Sequence, residues 1–252
     1  MQRKRNGLLE WLEFDLLSGI TKLSHGVFLR HGGVSKGKFA HLNLSYHLGD
    51  VDHFVDSNLT HALKCLSLQS ITYAKQCHGT TIVPLSPNSP KEIAGCDGFL
   101  CNTPNIASMI KHADCQAAIF YDPIHHAVAN IHCGWRGNVQ NIYAKTIETM
   151  KKTFYSNPRD LLVCISPSLG PTAAEFLHYK RELPQEFWEF KDSSQHFNFW
   201  EISRMQLQKK GILKHHIEIA QICTYSEEKD FFSYRRDSIT GRHGTIVALT
   251  SV

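Results

Sequence analysis

Nine short runs rich in Ile, Val, Ala and Phe, each bounded by turn residues, set the strongest limit on how this chain folds. They are Val27–Arg30, Ile71–Gln76, Thr81–Leu85, Ile106–Lys111, Gln116–Tyr121, His126–His132, Leu161–Ile165, Ile217–Ile222 and Thr245–Thr250, each with the length and composition of a strand. Helical periodicity is confined to Phe54–Leu68, Val139–Phe154, Pro184–Phe190 and Ser203–Lys210. Ala144, Ile147 and Met150 mark the apolar stripe of the second helix, and Asn138 stands where it can cap that helix. The strands cluster and do not alternate strictly with helices. This pattern predicts an α+β layered sandwich of mixed β-sheets flanked by helices, and not a doubly wound α/β fold. No repeat or low-complexity tract divides the chain, and the Pro84–Pro90 patch has the length of a loop. A single domain over residues 1–252 is expected.

With 252 residues, 42% of them hydrophobic, the chain can bury roughly 70–75% of its unfolded surface and needs no staple to fold. A net charge of +4 without a basic block beyond Arg3-Lys4-Arg5 gives no footprint for nucleic acid. Those three residues resemble the start of a signal peptide, but Glu10, Glu13 and Asp15 interrupt any apolar core. No stretch approaches the ~18 apolar residues of a membrane span. The expectation is a cytoplasmic protein, monomer or homodimer, with no membrane or nucleic-acid partner. None of the eight cysteines has CxxC spacing, so reduced, buried thiols are expected, Cys115 excepted.

Cys115 precedes the fifth run, and His132 ends the sixth. If Asp122-Pro123-Ile124-His125 forms a four-residue hairpin loop, Tyr121 pairs with His126 and Cys115 falls directly opposite His132. Opposed residues have Cβ atoms about 4.5–5.5 Å apart on one face. Zinc bonds of about 2.3 Å to sulfur and roughly 2.0–2.1 Å to nitrogen fit that gap. His78, before a glycine in Lys75-Gln-Cys-His-Gly79, is the candidate third ligand. Three protein ligands and one open position make a catalytic zinc site. The same placement equally allows Cys115 to act as a nucleophile with His132 as its base.

Eight motifs then occur in order: Arg30-His-Gly-Gly-Val-Ser35, His41-Leu-Asn-Leu44, Lys75-Gln-Cys-His-Gly79, Cys96-Asp-Gly98, Ala113-Asp-Cys115, His132-Cys-Gly-Trp-Arg-Gly137, Ile165…Leu169-Gly-Pro171 and Phe232-Ser-Tyr-Arg-Arg-Asp237…Thr240-Gly-Arg242. From about residue 25 onward the chain resembles the YfiH-like family, also called the laccase-domain, polyphenol oxidase or peptidoglycan editing factor family. The resemblance implies a His/Cys/His zinc site at His78, Cys115 and His132. It also implies phosphorolysis of adenosine, inosine and methylthioadenosine to free base and ribose 1-phosphate, with adenosine deamination as a side activity. Small departures are Cys96 and Cys133, where the family tends to carry Ala. The cysteines often found after the Gly-Pro pair are absent here.

In that reading Cys115, His132 and Asp97 carry the chemistry, with Asp114 as a further acidic candidate. Arg30 beside Gly32-Gly33 offers a cationic fork and close N–H groups for phosphate. Arg136, Arg242, Arg235 and Arg236 are further candidates, and Asn43 and Gln76 are placed to bond ribose or base. Three alternatives stand beside it. One is a Cys/His amidase acting on peptidoglycan precursors. Another is a copper polyphenol oxidase, for which a trinuclear cluster would need His-x-His pairs that the sequence lacks. The third is a zinc-stabilised interaction domain without catalysis.

Overall fold

Along β9 (Gln116–Asp122), Ala117, Ile119 and Tyr121 belong to one apolar cluster and Ala118 and Phe120 to another. This is the period of two expected for a strand buried on both faces. The computed structural model describes residues 1–251, and this alternation organises them into four layers.

One sheet has seven strands in the order β1 (Gln2–Asn6), β2 (Leu9–Glu13), β3 (Leu23–Phe28), β13 (His243–Leu249), β8 (Ala107–His112), β4 (Ile71–Lys75), β6 (Glu92–Ala94). The other has six, in the order β12 (Ile217–Ile219), β11 (Leu162–Ile165), β9, β10 (Ala127–Cys133), β7 (Gly98–Cys101), β5 (Ile82–Pro84). Val27, Ile110, Val247 and Leu249 of the first sheet face Phe99, Ile119, Tyr121 and Val128 of the second. Helix α1 (Asp52–Cys65) covers the outer face of the first sheet with Val55, Leu59 and Ala62. Helices α3 (Ile142–Phe154) and α5 (Phe199–Lys209) cover the outer face of the second with Ile142, Tyr143, Ile147, Met150 and Leu207. The short helices α2 (Trp135–Val139), α4 (Tyr179–Glu182) and α6 (Tyr234–Asp237) sit in the connections. Each large side chain so buried contributes about 1.5–3 kcal/mol. Between the sheets Asn130 is buried, and its amide donates to the carbonyls of Ser108 and Thr245 in the facing sheet.

The layered α+β sandwich is as expected, with local corrections. The charged N-terminus forms the β1–β2 hairpin, an edge that alternation cannot reveal because Gln2-Arg-Lys-Arg-Asn6 is polar throughout. Strands β6 and β7 likewise have no counterpart among the predicted runs. Pro184–Phe190 is a 3-10 turn over Gln185–Phe190. Asn138 caps nothing. The chain makes the separate turn α2 first, so Asn141 caps α3 by accepting from Ala144 N, and the buried Asn138 amide donates to Ser203 Oγ and Gln206 Oε1.

Three buried histidines are held neutral. His25 Nε2 accepts from Phe14 N and His243 Nε2 from Phe232 N, while His112 bonds Thr245 Oγ1. Burial pushes His25 down to about 4 and His243 to about 3, and depresses His112 as well. Below about pH 6.5 the unfolded chain takes up protons that the folded one refuses, so stability falls with pH by about 1.4 kcal/mol per unit for each ring. Calorimetry in the presence of a chelator should show Tm dropping by on the order of 10 °C from about pH 7 to about pH 4.5. A flat profile would show that these rings titrate normally.

Candidate metal centre and its cleft

Asp122 sets the register of the hairpin. It stays in the ladder opposite Ala127, and its carboxylate accepts from the N–H groups of Ile124 and His125. The four-residue loop is therefore Pro123–His126, not Asp122–His125. Every pairing moves by two, so that His132 faces Ala117 and not Cys115. A shift of two preserves the face, whereas a shift of one would have reversed it. Cys115, two residues before Ala117, thus still meets His132 on the inter-sheet side.

His78 arrives from the loop between β4 and β5 with φ +59°. Ligand atoms of His78, Cys115 and His132 all lie within 4.8 Å of one another. The two rings stand edge to face, with centroids 4.8 Å apart. Beneath them the buried Asp97 accepts from His132 Nδ1 and His78 N, both at 2.9 Å, and from Cys77 N, Gly79 N and the Cys77 thiol. With Nδ1 engaged, His132 presents Nε2 to the site, the carboxylate–histidine arrangement that orients metal ligands. Gly134 makes room, since a Cβ there would stand 2.9 Å from Cys115 Sγ and 3.1 Å from His78 Cδ2.

Burial alone would raise the Cys115 thiol, but the His132 imidazolium and hydrogen bonds from both rings hold it below its ordinary range. Burial would lower His132, but the Cys115 thiolate and Asp97 raise it. The site therefore favours a thiolate next to a positive charge. One thiolate and two imidazoles match a zinc ligand set, and the oriented ring and the absent Cβ both fit an ion held between them.

The cluster stands at a cleft of about 490 Å³ lined by Tyr46, Lys75, Gln76, Glu92, Lys111, Arg136, Tyr234 and Arg242. Cys115 also borders a smaller hollow of about 90 Å³ walled by Trp135, Leu169, Phe176 and Phe199. A larger cavity, about 720 Å³, lies against α1, away from the cluster. Its charged lining residues Asp56 and Lys91 are paired with each other.

Of the residues expected to bind substrate, Arg136, Arg242 and Gln76 line the cleft. Arg30 does not. Its guanidinium donates to Ala40 O and Glu228 O, lies 4.6 Å from the centroid of the Phe232 ring, and faces a separate surface hollow. Asn43 is also scaffold, because it is buried, donates to Asp50 and Ser45 O, and accepts from Arg242 N. Asp97, expected to move protons, has both oxygens committed to holding the ligands. Asp114 binds Thr224 Oγ1 and Arg235 N, and Arg236 donates to the carbonyls of Thr224, Tyr225 and Phe231, so both secure the α6 segment. Lys111 and Tyr234 were not anticipated. The one signal in the sequence was a lysine ending an apolar run just before the Ala113-Asp-Cys115 motif.

The sequence pattern of the family described as multi-copper polyphenol oxidoreductase laccase matches residues 24–250. The chain is 30% identical over 244 residues to a purine nucleoside phosphorylase of Bacteroides thetaiotaomicron, covering 89% of this chain and 90% of that protein. It is 31% identical over 236 residues to a purine nucleoside phosphorylase of Pseudomonas aeruginosa, covering 88% and 92%. Among solved structures it is similar to the hypothetical protein YfiH of Bacillus licheniformis (TM-score 0.89, 25% identity, 98% and 99% covered). YlmD of Geobacillus stearothermophilus gives a TM-score of 0.87 at 25% identity, with 99% of each chain covered.

Proposed function

The chain belongs to the multi-copper polyphenol oxidoreductase laccase family, in its YfiH group, and from that premise we propose that it is a purine nucleoside phosphorylase with zinc held by His78, Cys115 and His132. The observation that carries this reading is the meeting of one thiol and two imidazoles at a cleft whose walls bring Lys75, Lys111, Arg136 and Arg242 together. Relatives spanning nearly the whole chain bear the name of that activity. Adenosine, inosine and methylthioadenosine are the proposed substrates, with deamination of adenosine as a side activity. A one-domain, cytoplasmic monomer or homodimer completes the proposal. No helix among the described residues is long and apolar enough to cross a membrane.

In phosphorolysis the bond from ribose C1′ to the base nitrogen breaks, C1′ bonds a phosphate oxygen, and the base departs with a proton. When bound, zinc supplies a Lewis acid at the cleft. Asp97 fixes the ring of His132 and the backbone that carries His78, so neither drifts when substrate enters. Arg136 and Arg242 bring planar donor forks suited to phosphate, and Tyr234, exposed at the rim, offers a ring face to a base.

The test is adenosine with purified protein, with and without phosphate, followed by separation of products and by metal analysis. Adenine and ribose 1-phosphate formed only with phosphate, on protein carrying zinc near one ion per chain, is the expected result. Inosine would register the side activity. No nucleoside turnover beside amidase activity would overturn the reading, and copper as the sole metal would overturn the assignment of zinc.

A further inference from the structure

Lys111, next to last in β8, is a partly buried cation with no ion-pair partner among the described residues. Its ammonium lies 4.7 Å from the centroid of the Tyr73 ring. Glu92 on β6 acts on it only through space, and burial pushes it down to about 8. Arg242 is in the same condition. Only its Nη1 is engaged, donating to Thr240 O and Gly241 O, and among the described residues it too has no carboxylate partner. Burial lowers it, against the fields of the Cys115 thiolate and Asp114, and its own positive field adds to the lowering at Lys111. Both line the cleft that holds His78, Cys115 and His132.

Lys111 is held in place. Gln76, just past the end of β4, uses its side-chain amide as a substitute peptide. Its Nε2 donates to Lys111 O at 2.7 Å and its Oε1 accepts from Lys111 N at 3.0 Å. This clamp fixes the Lys111 main chain from which the stem leaves, and the Tyr73 ring lies against its ammonium. Two cations without a direct ion-pair partner in a partly dehydrated wall cost free energy that a bound anion would offset. A point charge beside a planar fork is a fitting pair for a tetrahedral oxyanion.

We propose that Lys111 and Arg242 form the seat of inorganic phosphate in this cleft, with Gln76 as the positioning residue for Lys111. The assignment rests on the phosphorolysis reading and adds to it the wall from which phosphate approaches. It also replaces Arg30 as the anion-binding residue suggested by the glycine-rich motif.

The zinc-loaded protein and its Lys111→Met and Lys111→Arg variants would be compared in two measurements. In the first, phosphate is varied at saturating adenosine. Lys111→Met should raise KM for phosphate about tenfold or more while kcat at saturating phosphate and KM for adenosine stay within about threefold, and Lys111→Arg should recover most of the loss. In the second, inorganic phosphate is titrated calorimetrically without nucleoside, and Lys111→Met should weaken binding about tenfold or more. If the unaltered protein makes ribose 1-phosphate while Lys111→Met keeps its KM for phosphate, the seat is refuted and the phosphorylase reading stands. If the unaltered protein makes none, that reading fails. The calorimetry then decides the seat alone: weaker binding in Lys111→Met supports it, and equal or absent binding overturns it.

Discussion

Replacing Cys115 by serine is expected to lower nucleoside turnover on the order of a thousandfold, about 4 kcal/mol of transition-state stabilisation, and to strip the bound metal. Cys115 is the anionic member of the ligand set, held as thiolate by His132 and His78. A serine hydroxyl stays protonated at neutral pH, so the site loses both a ligand and its negative charge. The two rings and Asp97 then hold an uncompensated positive charge. The fold should survive, because the substitution is nearly isosteric and the sheets bury their cores elsewhere. Metal analysis and kcat measured on one preparation check this, with Cys77→Ser as the comparison one residue from His78. Full zinc occupancy in Cys115→Ser would remove the thiol from the ligand set and revive the nucleophile reading.

The second large effect lies outside the cleft. Gly33→Ala should cost at least the upper end of the roughly 1–3 kcal/mol typical of overpacking, and lower Tm by about 10 °C. A Cβ at Gly33 would be driven into the carbonyl oxygen of His41 and stand 2.5 Å from Leu42 Cα and 2.6 Å from Asn58 Oδ1. None of these can yield. Asn58 is fully buried and ties Val34 N, Ser35 Oγ, His41 O and Asn43 O together. Gly37→Ala is the internal comparison, since it has positive φ but nothing within 4 Å of an added Cβ; it should cost only about 1 kcal/mol. Unchanged stability in Gly33→Ala with a raised KM for phosphate would return this motif to anion binding.

These two positions show what could be read from residues alone. Cys115 and His132 were legible because faces alternate with a period of two, and His78 because it stands before a glycine in a turn between two apolar runs. An error of two in register, caused by Asp122 staying in the ladder, left the face unchanged. The apolar runs were legible for the same reason. The strand Gln2–Asn6 was not, because an exposed edge is held by backbone pairing and needs no apolar side chains. Arg30 beside two glycines reads equally as an anion cradle or as close backbone packing. Only the approach of His41, on a different stretch of chain, decides between them. Lys111 was invisible because a lysine ending an apolar run is ordinarily solvated; its setting depends on the Tyr73 ring against its ammonium and on the amide of Gln76 on its main chain, neither adjacent to it in sequence.

Asp97 lies in the short link between β6 of one sheet and β7 of the other. From it hang the amides of Cys77, His78 and Gly79 and the ring of His132. The spacing between the two imidazoles is thus referenced to one pivot, not to the distance between the layers. Breathing of the sandwich carries both jaws together, so heat should loosen the layers well before it widens the grip.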